Sequence, residues 1–434
     1  MKRLIEKVRT LAAKSPVLAN ILTLMSGTAV SQVATVILAI FLARMFTTAD
    51  FGRVAIYNSV VAMLVAIASL RYDMTMMLPK TDVEARVLKK LATRSIITVS
   101  IISSVAGIAL QDWIVEHYDG DTLLGALFPF LGISVFLISE VAVLQYWYNR
   151  QSNYKRIAIN RVQQTVGTSV GQLALGGVGL KSAMGLFLGT ILGQGYAWVN
   201  LGLRAKELRE PLPADAPRIR DMARRYIKMP LLNGPNAILD AIRLSGINLL
   251  IGEASLSSVG QFNMAWRMLL LPVGLIQGAV SQVFFQKLST VERGNMERIV
   301  RFVVKRGLLL GLIPFGILFA ISPWIFTLVF GAQWAGAGDF ARALTPWLML
   351  MLVTSPISTV FVVTERQLVV LIFATFYCAV PLSILYFSPW ELLPTIYLMS
   401  AAMASLLVIN IVLAIWVAHQ FDQGVGEKAP VIMD

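Results

Sequence analysis

The sequence predicts an all-α integral membrane protein of twelve transmembrane helices, laid out as two six-helix bundles. Three observations predict it. The 434 residues are 57% hydrophobic and only 14% charged, with a mean hydropathy of +0.71. Apolar runs of about 20 residues recur from end to end, each long enough to cross a hydrocarbon core of about 30 Å. Such runs must be helical, because an open sheet edge cannot satisfy its backbone in lipid. Lys and Arg, finally, alternate between rich and poor connections along the chain.

In order, residues 1–16 combine Lys2, Arg3, Lys7, Arg9 and Lys14 with Leu4, Ile5, Val8 and Leu11, the pattern of a basic interfacial helix. Spans follow at roughly 17–43, 53–78, 91–111, 122–148, 156–178, 181–203, 229–251, 257–282, 300–328, 340–363, 367–389 and 392–418. The first is too long for the apolar core of a signal peptide and lacks a convincing cleavage site. The longest connection, 204–228, carries EPLPADAP and then a basic helix with Ile219, Met222 and Tyr226 on one side. It separates a first bundle, 17–203, from a second, 229–418, and 419–434 forms a tail.

The N-terminus and every second connection hold 31 of the 37 Lys and Arg when Arg71 and Arg161 are counted at the span edges; the opposite set holds Arg44, Arg53, Lys181 and Arg342. The positive-inside rule therefore places both termini in the cytoplasm. That distribution also accounts for the net charge of +13 and excludes a nucleic-acid partner. The single cysteine, Cys378, excludes an intrachain disulfide, and His117 and His419 cannot build a metal site. The halves look alike: TTADFGRVAIYNSVVAML after the first span answers SLSSVGQFNMAWRMLLLP after the seventh. Their turn glycines, Gly52 and Gly260, are 208 residues apart, and an even number of spans per half makes the repeats parallel.

The candidate functional residues are charges inside spans, which cost about 2.5–3.5 kcal/mol on insertion scales and need a partner or a wet cavity. Span seven places Asn233, Asn236, Asp240 and Arg243 on one helical face, with Asp240 about 17 Å above the span's basic end. Pro230 and Pro235 predict a bend or break in its first half. Span eight adds Asn263 and Arg267, at a depth similar to Arg243. An internal pair of Asp240 with either arginine would lock two helices together; one acid facing two arginines would instead leave a positive charge for an anion. Nearer the basic end stand Arg71, Asp73, Glu140 and Arg161. The arginines fit either snorkelling or anion capture. Glu140, within VFLISEVAVL, fits either a neutral carboxyl or a hydrogen bond to Arg71 or Gln145. The stripe Asn20, Thr23, Gly27, Ser31 and Thr35 fits close helix packing or a solvated wall. No phosphate-binding G-x-x-x-x-G-K-[ST] loop, HExxH or GxSxG is present, and the outer loops are short, so neither an ATPase of that type nor an outer-face polymerase or ligase is favoured.

TTADFGRVAIYN, LRYDMTMMLP and VGQFNMAWRMLLLPVGLIQGAVSQVFFQKLS resemble the polysaccharide-repeat-unit flippases (Wzx type) of the multidrug/oligosaccharidyl-lipid/polysaccharide exporter superfamily. The resemblance implies a non-enzymatic exporter of undecaprenyl-diphosphate-linked oligosaccharide in a bacterial inner membrane, often for the O-antigen of lipopolysaccharide. It implies a central cationic lumen between the two bundles, alternating access and a polysaccharide polymerase as a further partner. By that likeness Arg71, Arg243 and Arg267 are lumen cations, with Arg161 beside them. Asp240, Glu140 and Asp73 balance charge or pass a coupling proton or sodium ion, and Asn233, Asn236 and Asn263 line the polar wall. No cofactor or metal is expected. A cation-coupled drug exporter and a peptidoglycan-precursor flippase are the neighbouring alternatives; an arginine-rich lumen argues against the first, and an expectation of two further spans against the second.

Overall fold

The computed structural model describes residues 16–289, 294–364 and 366–424, so the basic segment 1–15 and the end of the tail lie outside the described residues. Among these residues stand twelve helices of at least twenty residues. They are α1 (Pro16–Met45), α2 (Thr48–Ala68), α3 (Asp82–Ala109), α4 (Leu131–Arg150), α5 (Tyr154–Gly177), α6 (Ala183–Arg204), α7 (Lys228–Ala254), α8 (Leu256–Ser289), α9 (Met296–Phe330), α10 (Ala335–Ile357), α11 (Gln367–Phe387) and α12 (Leu392–Asp422). They answer the twelve expected spans in number and order, with the largest shifts at the end of α2 (68 for the expected 78) and at the starts of α3 (82 for 91) and α4 (131 for 122). By length and composition, α2, α3, α4, α9, α10, α11 and α12 are apolar enough to cross a membrane. Among the rest, α5 and α7 are diluted by the polar residues that make them informative.

One compact unit comprises Met1–Gly260 and the other Gln261–Asp434. This division differs from the boundary expected within 204–228, because α7 packs along α2. In the first unit α1 packs on α5, α5 on α6, and α3 on α4. Gly189 and Gly193 of α6 let the α5 backbone approach at Gln172 and Thr168, where a β-carbon would lie 2.5 Å from either backbone nitrogen. Ser31 and Thr35 of the expected stripe are buried, and α1 packs against α5, which favours the helix-packing reading for this stretch. The side chains of Asn20, Thr23 and Gly27 lie outside the described residues. The basic helix of the linker forms at Ile219–Arg225 and buries Met222, as its apolar side predicts.

In the second unit α9 packs on α10 and both meet α12. The core there is built by Val300, Val304, Val353, Ile357, Ile411 and Val417 among others. The Asp422 carboxylate accepts from the backbone nitrogens of Gly294, Met296 and Glu297 at 2.9, 3.0 and 2.9 Å, closing the start of α9 with the end of α12.

The break expected at Pro230 and Pro235 is not there: α7 is assigned as one helix through both. The interruption falls instead after α2, at Ser69, Leu70 and Arg71. Downstream of it, Arg150 at the end of α4 secures the returning chain. Its guanidinium donates to the carbonyl oxygens of Met76 and Pro79 at 3.0 and 2.8 Å and to the Asp82 carboxylate at 2.8 Å. Arg150→Ala leaves all three acceptors without that donor and is expected to lower stability by about 2–3 kcal/mol. Thermal unfolding in detergent measures this. Arg150→Lys should recover only part, since an ammonium lacks the planar fork that reaches three acceptors.

Candidate functional site

Leu70 and Arg71 adopt positive φ of 48° and 60°. Two consecutive non-glycine residues in the left-handed region cost on the order of 1–3 kcal/mol each. Side chains of this segment and of α3 compensate. Ser69 Oγ donates to Asp73 Oδ1 at 2.9 Å and accepts from the Arg71 nitrogen at 3.2 Å. Thr75 Oγ1 donates to the Arg71 carbonyl at 3.0 Å, and Ser95 Oγ to the Ala68 carbonyl at 2.7 Å. A single turn, Tyr72–Thr75, then resumes, and the Tyr72 hydroxyl donates to the Ala223 carbonyl at 3.1 Å. The conformation stops the helix at Arg71 and turns this residue out of it. Arg71 Nη2 meets Met74 Sδ, a weak acceptor, at 2.7 Å, and its buried Nε has no hydrogen-bond partner among the described residues. Asp73 is buried and held by Ser69, so it shapes the turn.

The Tyr72–Thr75 turn packs on α4. There Tyr146 stands within the electrostatic reach of both Arg71 and Asp73. Tyr146 also borders a cavity of about 400 Å³ between α4 and α5, lined by Ala142, Gln145, Tyr146, Asn149, Tyr154, Ile157 and Arg161. The α4–α5 turn positions these groups. Ser152 takes a positive φ of 54°, Asn153 caps α5 by accepting from the Arg156 nitrogen at 3.3 Å, and the Tyr148 hydroxyl donates to the Leu201 carbonyl at 2.9 Å. Two phenol rings, two amides and a guanidinium on one wall form an apolar body with convergent polar groups. Rings and amides suit sugar faces and hydroxyls, and arginine suits phosphate. Arg161 lines this cavity, and Arg71 precedes the turn that packs on the same helix. The pattern Gln145, Tyr146, Asn149 at helical spacing is the signal that sequence reading passed over.

The other expected site residues are distributed differently. Glu140 does not meet Arg71 or Gln145. It is buried and accepts from Thr93 Oγ1 at 2.6 Å and Lys89 Nζ at 3.3 Å, both on α3. Its side chain faces the α3 seam, where Lys89 and Thr93 stand in place of the expected Arg71 or Gln145 partner. Arg243 is also buried, on the seam with Ile247 and Ile251 that turns toward α2, and its Nη2 donates to Asp240 Oδ1 at 3.2 Å. The four-residue face read for span seven is therefore split. Asn236 and Asp240 are exposed, Arg243 is buried, and the side chain of Asn233 lies outside the described residues. In the second unit Arg267 is exposed and Asn263 half-buried. Trp266 stacks into an aromatic seam, 4.7 Å from Trp347, whose Nε1 donates to the Tyr377 hydroxyl at 2.6 Å. One residue on, about 100° round the helix, Arg267 points away from that seam.

A larger cavity, about 570 Å³, opens at the opposite end of the first unit around Arg53, His117, Asp121, Glu253 and Ser257. Its charges already have partners. Arg53 donates to Asp50 at 3.0 Å and lies 2.7 Å from Asp121, while His117 stands 3.8 Å from Glu253. The smaller cavity at Tyr146 and Arg161 has no acidic residue in its lining, which makes it the better candidate for an anion.

Residues 41–339 match the sequence model of a family described as polysaccharide biosynthesis protein. No curated protein matches the chain. Among solved structures, an inward-facing multidrug resistance MATE family transporter of the MOP superfamily is similar with a TM-score of 0.68 and 12% identity, over 91% of this chain and 96% of that one. The lipid II flippase MurJ in an inward closed conformation is similar with a TM-score of 0.69 and 12% identity, over 91% and 90% of the two chains. These neighbours are transporters and flippases, not enzymes, and at such identity the likeness is one of fold.

Proposed function

The chain belongs to the polysaccharide biosynthesis protein family, and from that premise we propose that it moves an undecaprenyl-diphosphate-linked oligosaccharide from the cytoplasmic to the periplasmic leaflet of a bacterial inner membrane. The observation that carries this reading is the cavity lined by Tyr146 and Arg161, on whose α4 wall the turn that follows Arg71 packs. In this reading the diphosphate docks on Arg71 and Arg161, and the first sugars lie against Tyr146, Tyr154, Gln145 and Asn149. The prenyl chain stays in lipid. The basic ends of the helices face the cytoplasm, and rocking of two halves around a central lumen releases the cargo outside. An inside-negative potential assists outward movement of an anion by about 2.3 kcal/mol per charge per 100 mV, which supplies a driving force without ATP. Of the two acids considered for a coupling proton or sodium ion, the accessible Asp240 is the better placed, because Glu140 is already engaged. The drug-exporter alternative fits poorly, since a guanidinium repels a cationic substrate.

The test is transfer of lipid-linked oligosaccharide in proteoliposomes, scored by access of an added glycosidase. Arg71→Ala and Arg161→Ala are expected to slow transfer by about tenfold or more, the worth of one charge-assisted contact, with normal protein yield and melting temperature. Wild-type rates in both variants would refute diphosphate capture at this cavity.

A further inference from the structure

The basic stretch of α3 and the buried Glu140 find no use in that transport path. Arg86, Lys89, Lys90, Thr93 and Arg94 line a cavity of about 240 Å³ closed on one side by Leu208 of the linker. Four cations and a hydroxyl converge there. The site is held in shape from within. Glu140 fixes both Lys89 and Thr93, which are one helical turn apart on α3. Arg86 donates to the Glu210 and Pro211 carbonyl oxygens, securing the linker over the cavity. Lys90 and Arg94 remain exposed.

The same face of α3 continues as Ile97, Ile101, Val105 and Ile108, exposed by 42, 60, 62 and 62%. Residues 90, 94, 97, 101, 105 and 108 recur at spacings of three and four, so they share one face. From Ile97 to Ile108 the rise is about 16 Å, close to half of a hydrocarbon core of about 30 Å. A four-cation cavity continuing into an apolar stripe one leaflet deep has the dimensions and chemistry of a single anionic lipid.

We propose that this cavity and stripe form a binding site for an anionic glycerophospholipid of the surrounding bilayer, its phosphate on Lys89, Lys90 and Arg94 and an acyl chain along Ile97–Ile108. Guanidinium and ammonium groups at a membrane edge recognise such headgroups through charge and hydrogen bonding. Glu140 acts as a positioning residue that aims Lys89 at the headgroup. The site is separate from the Arg71 cavity, so the two stand or fall independently.

The full-length protein in nanodiscs is photolabelled with phosphatidylglycerol carrying a diazirine in its acyl chain, and the labelled peptides are mapped. Labelling is expected to concentrate on the peptide holding Ile97–Ile108. In the double variant Lys90→Gln, Arg94→Gln, whose exposed side chains leave packing intact, it should fall about thirtyfold, the effect of two juxtamembrane cations. Glu140→Gln should reduce it less, and Arg71→Ala should leave it unchanged. Three results would each overturn the proposal: equal labelling by a phosphatidylcholine analogue, labelling of α3 that ignores the double variant, or displacement by a polyprenyl diphosphate at concentrations where unlabelled phosphatidylglycerol does not compete. The last would assign the site to the transported lipid.

Discussion

Gly52→Val is expected to be the most damaging single substitution in the first unit, abolishing a stable fold or lowering the melting temperature by more than ten degrees, the scale of an overpacked backbone contact of several kcal/mol. A β-carbon at Gly52 would collide with the carbonyl oxygen of Leu256, and one at Gly260 with the carbonyl oxygen of Thr48 while coming within 2.8 Å of the Gly52 nitrogen. The obstacles are backbone atoms, so no rotamer change can relieve them. The pairing is reciprocal: Gly52 faces Leu256 and Gly260 faces Thr48, and both pairs of counterparts are 208 positions apart (260 − 52 and 256 − 48). That reciprocity is what a two-fold relation between repeats produces. Thr48 Oγ1 and Ser257 Oγ share a hydrogen bond of 2.7 Å at the same crossing. Gly260→Val should therefore match Gly52→Val in size. A melting temperature within two or three degrees of wild type, which is the scale of a surface substitution, in either variant would show that the helix starts can part without loss.

Asp50→Ala is expected to cost about 3–5 kcal/mol, the loss found when one member of a buried ion pair is removed. Asp50 is buried and serves four donors. Its carboxylate accepts from the Thr47 nitrogen at 3.2 Å, Thr47 Oγ1 at 2.6 Å, Arg53 Nη1 at 3.0 Å and the Ala183 nitrogen at 3.0 Å. Arg53 carries the chain of contacts onward to Asp121, which caps the turn at Thr122–Gly125 through the Leu124 nitrogen at 2.7 Å. One carboxylate therefore joins the start of α2, the start of α6 and the loop before α4. Arg53→Ala alone should cost less, because Asp50 keeps three donors. A double-mutant cycle on Asp50 and Arg53, read by thermal unfolding, should give a coupling of at least about 1 kcal/mol. Additive effects would mean that the pair contributes nothing beyond its separate contacts.

The TTADFGR string reads as a turn, since Thr, Asp and Gly punctuate a chain, yet the chain turns only at Phe46 and Thr47 and Thr48–Arg53 already form the start of α2. Its role as a fastener was not legible, because Ala183 and Asp121 are far away in sequence. The interruption after α2 illustrates the same limit. Proline in α7 made a break legible there, whereas the actual one sits at Leu70 and Arg71, two residues with no local preference for left-handed backbone. Ser69, which accepts from the Arg71 nitrogen, and Thr75 and Ser95, which donate to the Arg71 and Ala68 carbonyls, help to hold it. Arg71 and Arg161 were found because a charge in an apolar run is conspicuous wherever it points. Arg243 and Glu140 were equally conspicuous; Arg243 took the Asp240 partner that the helical spacing named, whereas Glu140 turned to Lys89 and Thr93, which the pattern could not name.

By itself the sequence determined that the chain is helical and how many long helices there are, because hydrocarbon burial and internal hydrogen bonding are properties of each segment alone, whereas the ends of α2, α3 and α4 moved by up to ten residues. It also determined which residues are expensive in lipid. The tertiary structure decided which of those charges are spent on one another and which border a cavity. That choice depends on the rotation of each helix against its neighbours, a few tens of degrees that interlocking side chains fix and that no single segment encodes.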